Sequence, residues 1–155
     1  MSKSLMRVRR ALDEAGLAAE VLEMGETRTA EQAAAAAGCS LDQIVKSILF
    51  AGTDSGRLFL FLTAGGNQVD AERASALAGE PLGRADAARV REVTGFAIGG
   101  VAPLGHLTPS PVWLDPLLLT FTEVWGAAGT PRHIFPVDPR DLLRVTGATL
   151  ADFTV

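Results

Sequence analysis

The spacing of apolar positions changes along this chain, and each change marks an element. In the first 15 residues Leu5, Val8 and Leu12 recur along one helical face and Gly16 supplies a stop, which predicts an opening helix. A short strand is expected through Val21 and Met24. Thr29-Ala30-Glu31-Gln32 has the form of a capping box, so a helix is expected over Ala30–Ala37 and ended by Gly38. Ser40-Leu41-Asp42-Gln43 repeats that form and predicts a short helical turn. The period then drops to two. Val45–Ala51 and Arg57–Thr63 read as strands joined by Thr53-Asp54-Ser55-Gly56, which has hairpin-turn chemistry. Asp70 is placed to cap a helix to Ala78, and Asp86 another to about Val93. From Thr94 onward the pattern is one of strands and loops. Strands are expected at Phe96–Ile98, Val112–Leu114, Thr122–Ala127 and Arg132–Phe135. Asp115-Pro116 opens a helical turn, and Asp138-Pro139 opens a last helix closed by Gly147.

Helices and strands alternate irregularly, with hairpins between some of them. The pattern predicts an α+β (mixed α/β) fold, with a mixed, partly barrel-like sheet and helices packed outside it. No Pro- or Gly-rich linker divides the 155 residues, so residues 1–155 are expected to form a single domain. The chain is 48% hydrophobic and 21% charged, which suits a packed core and not a disordered segment. Its net charge of −4 argues against coating nucleic acid through a broad basic face, while leaving room for a local patch that meets the end of an RNA. Cys39 is the only cysteine, which removes any internal disulfide. With no signal peptide visible and no apolar run long enough to span a bilayer, a cytoplasmic protein without membrane attachment is expected.

Charge placement singles out Lys46. Of 14 basic residues only Lys3 and Lys46 are lysines, and Lys46 lies inside the apolar run Ile44–Phe50. Strand alternation puts Lys46, Ile48 and Phe50 on one face and Val45, Ser47 and Leu49 on the other. A lysine there either supplies a compact ammonium to a pocket, or snorkels from an edge strand and discourages edge pairing. The loop Gly99–His106 is the second candidate. Its three glycines and one proline allow close backbone approach, and successive N–H groups there can cradle an anion or oxyanion; a plain tight connection would use the same residues. Gly129-Thr130-Pro131-Arg132-His133 is the third. His133 suits either a ligand contact or a structural role on a strand, and the same two readings apply to His106. Cys39 reads as a structural thiol, and Ser47, on the face opposite Lys46, does not suit a Ser-Lys nucleophilic pair. Neither His-x-x-x-His nor Cys-x-x-Cys occurs, so no metal and no cofactor is expected.

Three segments together resemble the YbaK family of aminoacyl-tRNA deacylases, relatives of the editing domain inserted in bacterial prolyl-tRNA synthetases. They are Val45–Phe50, Thr94–Gly105 and Ala128–His133, with Thr29-Ala30 and Asp138–Leu143 adding to the match. The resemblance implies the fold of that editing domain. It implies a free-standing hydrolase that cuts the ester between a small wrong amino acid and the acceptor end of tRNA, often proline tRNA, with prolyl-tRNA synthetase as a candidate partner. It places the family's lysine at Lys46 as the catalytic residue. Its Gly-x-x-x-Pro loop falls on Gly99, Gly100, Val101, Ala102 and Pro103, and Gly129, Thr130 and His133 complete the substrate-binding set. No metal is implied. Ala128-Gly129-Thr130 stands where cysteine-clearing members have a Ser-Gly element, and Ser47 stands where alanine-clearing members tend to have Asn. A non-catalytic module that binds tRNA ends or docks on a synthetase is the alternative from another class. A small-anion or nucleotide sensor built on the glycine loop is a third.

Overall fold

The computed structural model describes residues 2–155. The capping chemistry sets the helices where it predicts them. Helix α1 (Lys3–Glu14) starts at Ser2, whose side chain accepts the Leu5 N–H, and buries Leu5, Val8 and Leu12. Helix α2 (Ala30–Ala37) has the full capping box between Thr29 and Gln32 and ends at Gly38 in the left-handed conformation. At Ser40, the Gln43 side chain reaches back to the Ser40 N–H and a single 3₁₀ turn forms over Leu41–Gln43. Asp70, Asp86 and Asp138 cap α3 (Ala71–Ala78), α4 (Ala87–Thr94) and α5 (Pro139–Thr146). Asp115 caps a 3₁₀ turn over Pro116–Thr120.

Eight strands among the described residues form one mixed sheet. These are β1 (Leu22–Glu23), β2 (Ile44–Gly52), β3 (Leu58–Ala64), β4 (Leu82–Arg84), β5 (Val112–Leu114), β6 (Val124–Ala127), β7 (His133–Val137) and β8 (Thr149–Leu150), paired in the order β1-β7-β6-β2-β3-β5-β8 with β4 also on β2. The ladder does not close on itself. Every residue of β3 is buried, as a strand covered on both faces requires, and its sequence Leu-Phe-Leu-Phe-Leu accordingly lacks polar alternation.

Two short strands, β4 and β8, lie where no strand was expected. The strand expected at Phe96–Ile98 is absent. There Thr94 Oγ1 accepts the Phe96 N–H at 3.0 Å and Gly100 N–H closes a turn onto the Ala97 carbonyl, so local bonds replace a ladder. Phe96 is instead a single buried anchor, with the Arg7 guanidinium 5.2 Å over its ring.

Strand β2 is the element that positions the site. It pairs with β3 over Val45–Ala51. On its other side it meets β6 only at Ile44 and Val45, and β4 only from Phe50 to Gly52. Lys46 to Leu49 therefore face a gap in the sheet. Gly52 N–H bonds toward β3 and Thr53 N–H bonds toward the β4 side. By alternation, Ser47 and Leu49 point their main-chain N–H and C=O into the gap.

Candidate active site

A cavity of about 470 Å³ fills that gap. Its floor is β2 from Ile44 to Leu49, seen edge-on, which is why residues of both strand faces line it. One wall is Thr27-Arg28-Thr29 with Ala30 and Ala33 of α2; another is Trp125, Gly126 and Ala127 of β6 with Ile134; the third is Ile98, Gly99 and Val101, backed by Ala85 and Val90. The lining is mostly apolar, with Lys46 and Arg28 as its cations and no His, Cys, Asp or Glu. Such a site can hold a small apolar group and a charged or ester-bearing end. It offers no side-chain general base of the usual kind.

Lys46 is partly buried, and its ammonium donates to the main-chain carbonyl of Asn67 at 2.5 Å. Of the two residues sharing its strand face, Ile48 lines the cavity, whereas Phe50 turns into the aromatic cluster around Phe61 and Phe153. Ser47 also reaches the cavity. Its hydroxyl is buried without a hydrogen-bond partner while the residue as a whole is partly exposed, so Ser47 meets the cavity through its main chain.

Within the glycine loop, Gly99 and Val101 line the cavity. Gly99 sits at φ +94°, where a side chain would be strained. Gly100 is buried behind them: an added Cβ would stand 2.8 Å from Thr130 Cα, and its N–H is already taken by Ala97. Ala102 is fully buried in the main core, and Pro103 packs on Gly126, where a Cβ would meet its ring at 3.1 Å. His106 braces the loop from behind through the Ala102 carbonyl, 2.6 Å from Nε2. Burial pushes His106 below its ordinary value of 6.5, with the nearby Arg7 adding to the shift and the bond to Ala102 opposing it.

Gly129, Thr130 and His133 lie one layer behind the lining. Thr130 Oγ1 and His133 Nδ1 are 2.6 Å apart, and Arg132 N–H donates to the same Thr130 oxygen. This turn holds the Thr27 wall, since Thr27 donates both its N–H and its hydroxyl to the Pro131 carbonyl at 2.8 Å. Cys39 lies outside the cavity, and burial pushes its thiol upward, away from the reactive thiolate.

Sequence reasoning missed Arg28, Ile98 and Trp125 in the lining, and the Asn67 carbonyl that receives Lys46. Nothing in the pattern distinguishes Arg28 or Trp125 from other exposed Arg or strand aromatics. No group of three or more His, Cys, Asp or Glu residues among the described residues is placed to hold a metal ion.

Residues 25–145 match the family described as the aminoacyl-tRNA editing domain. The chain is similar to a solved structure of a protein proposed as a trans-editing enzyme for prolyl tRNA synthetase, with TM-score 0.92 and 48% identity, covering 100% of this chain and 99% of that one. It is similar to the hypothetical protein APE2540, with TM-score 0.88 and 31% identity over 96% of this chain and 99% of that one. The uncharacterized protein YwhH of Bacillus subtilis (strain 168) is 33% identical over 114 residues, 74% of this chain and 72% of YwhH. The resemblance carried by Val45–Phe50, Thr94–Gly105 and Ala128–His133 is thus borne out, and the chain belongs to the aminoacyl-tRNA editing domain family.

Proposed function

We propose that this protein hydrolyses the ester linking a small, wrongly attached amino acid to the 3′ end of tRNA, with proline tRNA as carrier and prolyl-tRNA synthetase as the partner that supplies it. The observation that carries the reading is the meeting of Lys46, the Gly99–Val101 segment and a free strand edge in one small apolar cavity, in a chain of the editing-domain family. The similarity to a protein proposed to edit for prolyl tRNA synthetase supports the choice of carrier.

In this reading the amino acid enters the cavity and the terminal ribose sits at its mouth, near Arg28 and Ile98. The N–H groups of Gly99 and Val101 and the main-chain N–H groups of Ser47 and Leu49 are the donors available to the ester carbonyl. Lys46 supplies positive charge that positions the ester. Water adds to the carbonyl carbon, the bond to the ribose oxygen breaks, and the proton lost by water ends on that oxygen. The products are the free amino acid and tRNA with an intact hydroxyl. Because the lining holds no imidazole or carboxylate, proton transfer falls to water or to the substrate's own neighbouring hydroxyl.

The test is deacylation of a panel of mischarged tRNAs by the wild-type chain and by Lys46→Ala. The expected result is hydrolysis of small aminoacyl esters that Lys46→Ala abolishes while remaining folded by circular dichroism. Tight binding of tRNA ends with no hydrolysis of any ester would favour the binding-module reading instead.

A further inference from the structure

The Lys46 ammonium is not held by an acidic side chain. It rests on the main-chain oxygen of Asn67, and Asn67 is held by a buried carboxylate. We infer that Asp115 is a positioning residue that sets the Lys46 ammonium at the cavity wall by fixing the turn that carries Asn67. This deepens the hydrolase reading and rests on Lys46 acting in that reaction.

Capping alone does not account for Asp115. Its Oδ1 accepts the Leu117 N–H at 3.0 Å, which serves the 3₁₀ turn. Its Oδ2 reaches away from that turn, to the Ala64 N–H at 3.1 Å and to Asn67 Nδ2 at 2.8 Å. The residue is 3% exposed and has no cation among its partners. An isolated cap on a surface turn is served as well by serine or threonine, so burying an acidic side chain there calls for a further role.

The turn that Asp115 grips is clamped from the other side too. Asn67 N–H closes it onto the Ala64 carbonyl at 2.9 Å. Gly65 lies so close to the preceding 3₁₀ turn that a Cβ would stand 2.1 Å from the Leu41 oxygen, and Gly66 N–H donates to Asp42 Oδ1 at 2.9 Å. That 3₁₀ turn runs directly into β2 and hence into Lys46. The lysine and its acceptor are therefore fixed to one support. A flexible four-carbon stem gains a defined end point, which effective electrostatic catalysis needs.

The experiment uses Asp115→Asn, Asn67→Ala and the wild-type chain. With only Lys3 and Lys46 present, ¹³C-lysine labelling gives two ε-methylene signals, and Lys46→Ala assigns them. Both variants are expected to stay folded, to move the Lys46 signal toward that of Lys3, and to lower the single-turnover rate roughly 10–100-fold with little change in KM. Folded variants with an unmoved Lys46 signal overturn the inference, as does a moved signal with an unchanged rate, or a rate loss that only tracks the folded fraction. If Asp115→Asn fails to fold, Asn67→Ala decides, because Asn67 is only partly buried and keeps its main-chain oxygen. A wild-type chain inactive on every mischarged tRNA would count against the hydrolase reading, while the Lys46 signal would still report whether Asp115 sets the ammonium.

Discussion

In the proposed hydrolysis Lys46 acts through position more than through acid–base character, and substitution by arginine separates the two. Arginine keeps the charge but replaces a compact ammonium with a planar fork. The acceptor for the ammonium is a single carbonyl at 2.5 Å, with apolar Ile48 beside it, so a guanidinium has no matching pair of acceptors there. Lys46→Arg is expected to fold and to lose most activity, about a hundredfold or more, in line with misplacement of a group that acts by geometry. Near-normal turnover in a deacylation assay would show that charge alone suffices. His106 makes a second prediction, about stability. Its folded-state pKa is lowered by burial, so the unfolded chain binds the proton first as pH falls. Its contribution is present above about pH 6.5 and is lost as pH drops through the window below that value, before ordinary carboxylates titrate near 4. The melting temperature should decline on acidification from pH 7 to 5, and His106→Gln should flatten that decline. Equal slopes for both proteins would rule out His106 as the source.

At the scale of elements, two glycines one residue apart have different jobs. Gly99 borders the cavity with a left-handed backbone, whereas Gly100 lets the loop lie against the Gly129–His133 turn. An alanine at 100 would place its Cβ within 3.0 Å of three Thr130 backbone atoms. Gly100→Ala is expected to destabilise the fold by about 2 kcal/mol, because backbone cannot yield as a side-chain tip can. Thermal unfolding reads this directly, and an unchanged melting temperature would mean the two loops separate freely. The same close approach explains what the sequence could and could not tell. Caps at Thr29, Asp70, Asp86 and Asp138 are local bonds, legible as residue patterns, and each helix starts where they stand. Strands β4 and β8 are two or three residues long, too short for any period, and exist because β2 and β5 offer them an edge. Phe96–Ile98 looked like a strand by composition but is held by Thr94 and Ala97. Alternation correctly separated Lys46 from Ser47. It could not reveal that β2 is met by two different strands with a gap between them, which brings both residues to one cavity.

For the whole molecule, the proposed reaction would draw its selectivity from a small apolar cavity set in a chain of net charge −4. The walls are Ala30, Ala33, Ile48, Val101, Trp125 and Ile134, with no carboxylate to greet a basic side chain. Exclusion by size is cheap for such walls, but one methylene gives only roughly 10–200-fold between two small side chains. Alanyl, seryl, threonyl and 2-aminobutyryl esters should therefore all be cleaved, and the phenylalanyl ester poorly. Recognition of the tRNA itself is expected to be weak. Arg28, exposed at the mouth and paired with Glu26 at 2.8 Å, is the lining residue best placed to meet a phosphate. Each phosphate contact on a single strand contributes about 0.7 to the slope of log affinity against log salt. Arg28→Ala should weaken binding of the acceptor end and flatten its salt dependence by about that much, while leaving the order of preference among amino acids unchanged, because Arg28 stands at the rim. The measurement is a rate and affinity comparison across alanyl-, seryl-, threonyl- and phenylalanyl-tRNA at two salt concentrations, for wild type and Arg28→Ala. Fastest cleavage of the phenylalanyl ester would contradict the size account of the cavity. A change in amino-acid order on removing Arg28 would place the amino acid, not the nucleotide, at the mouth.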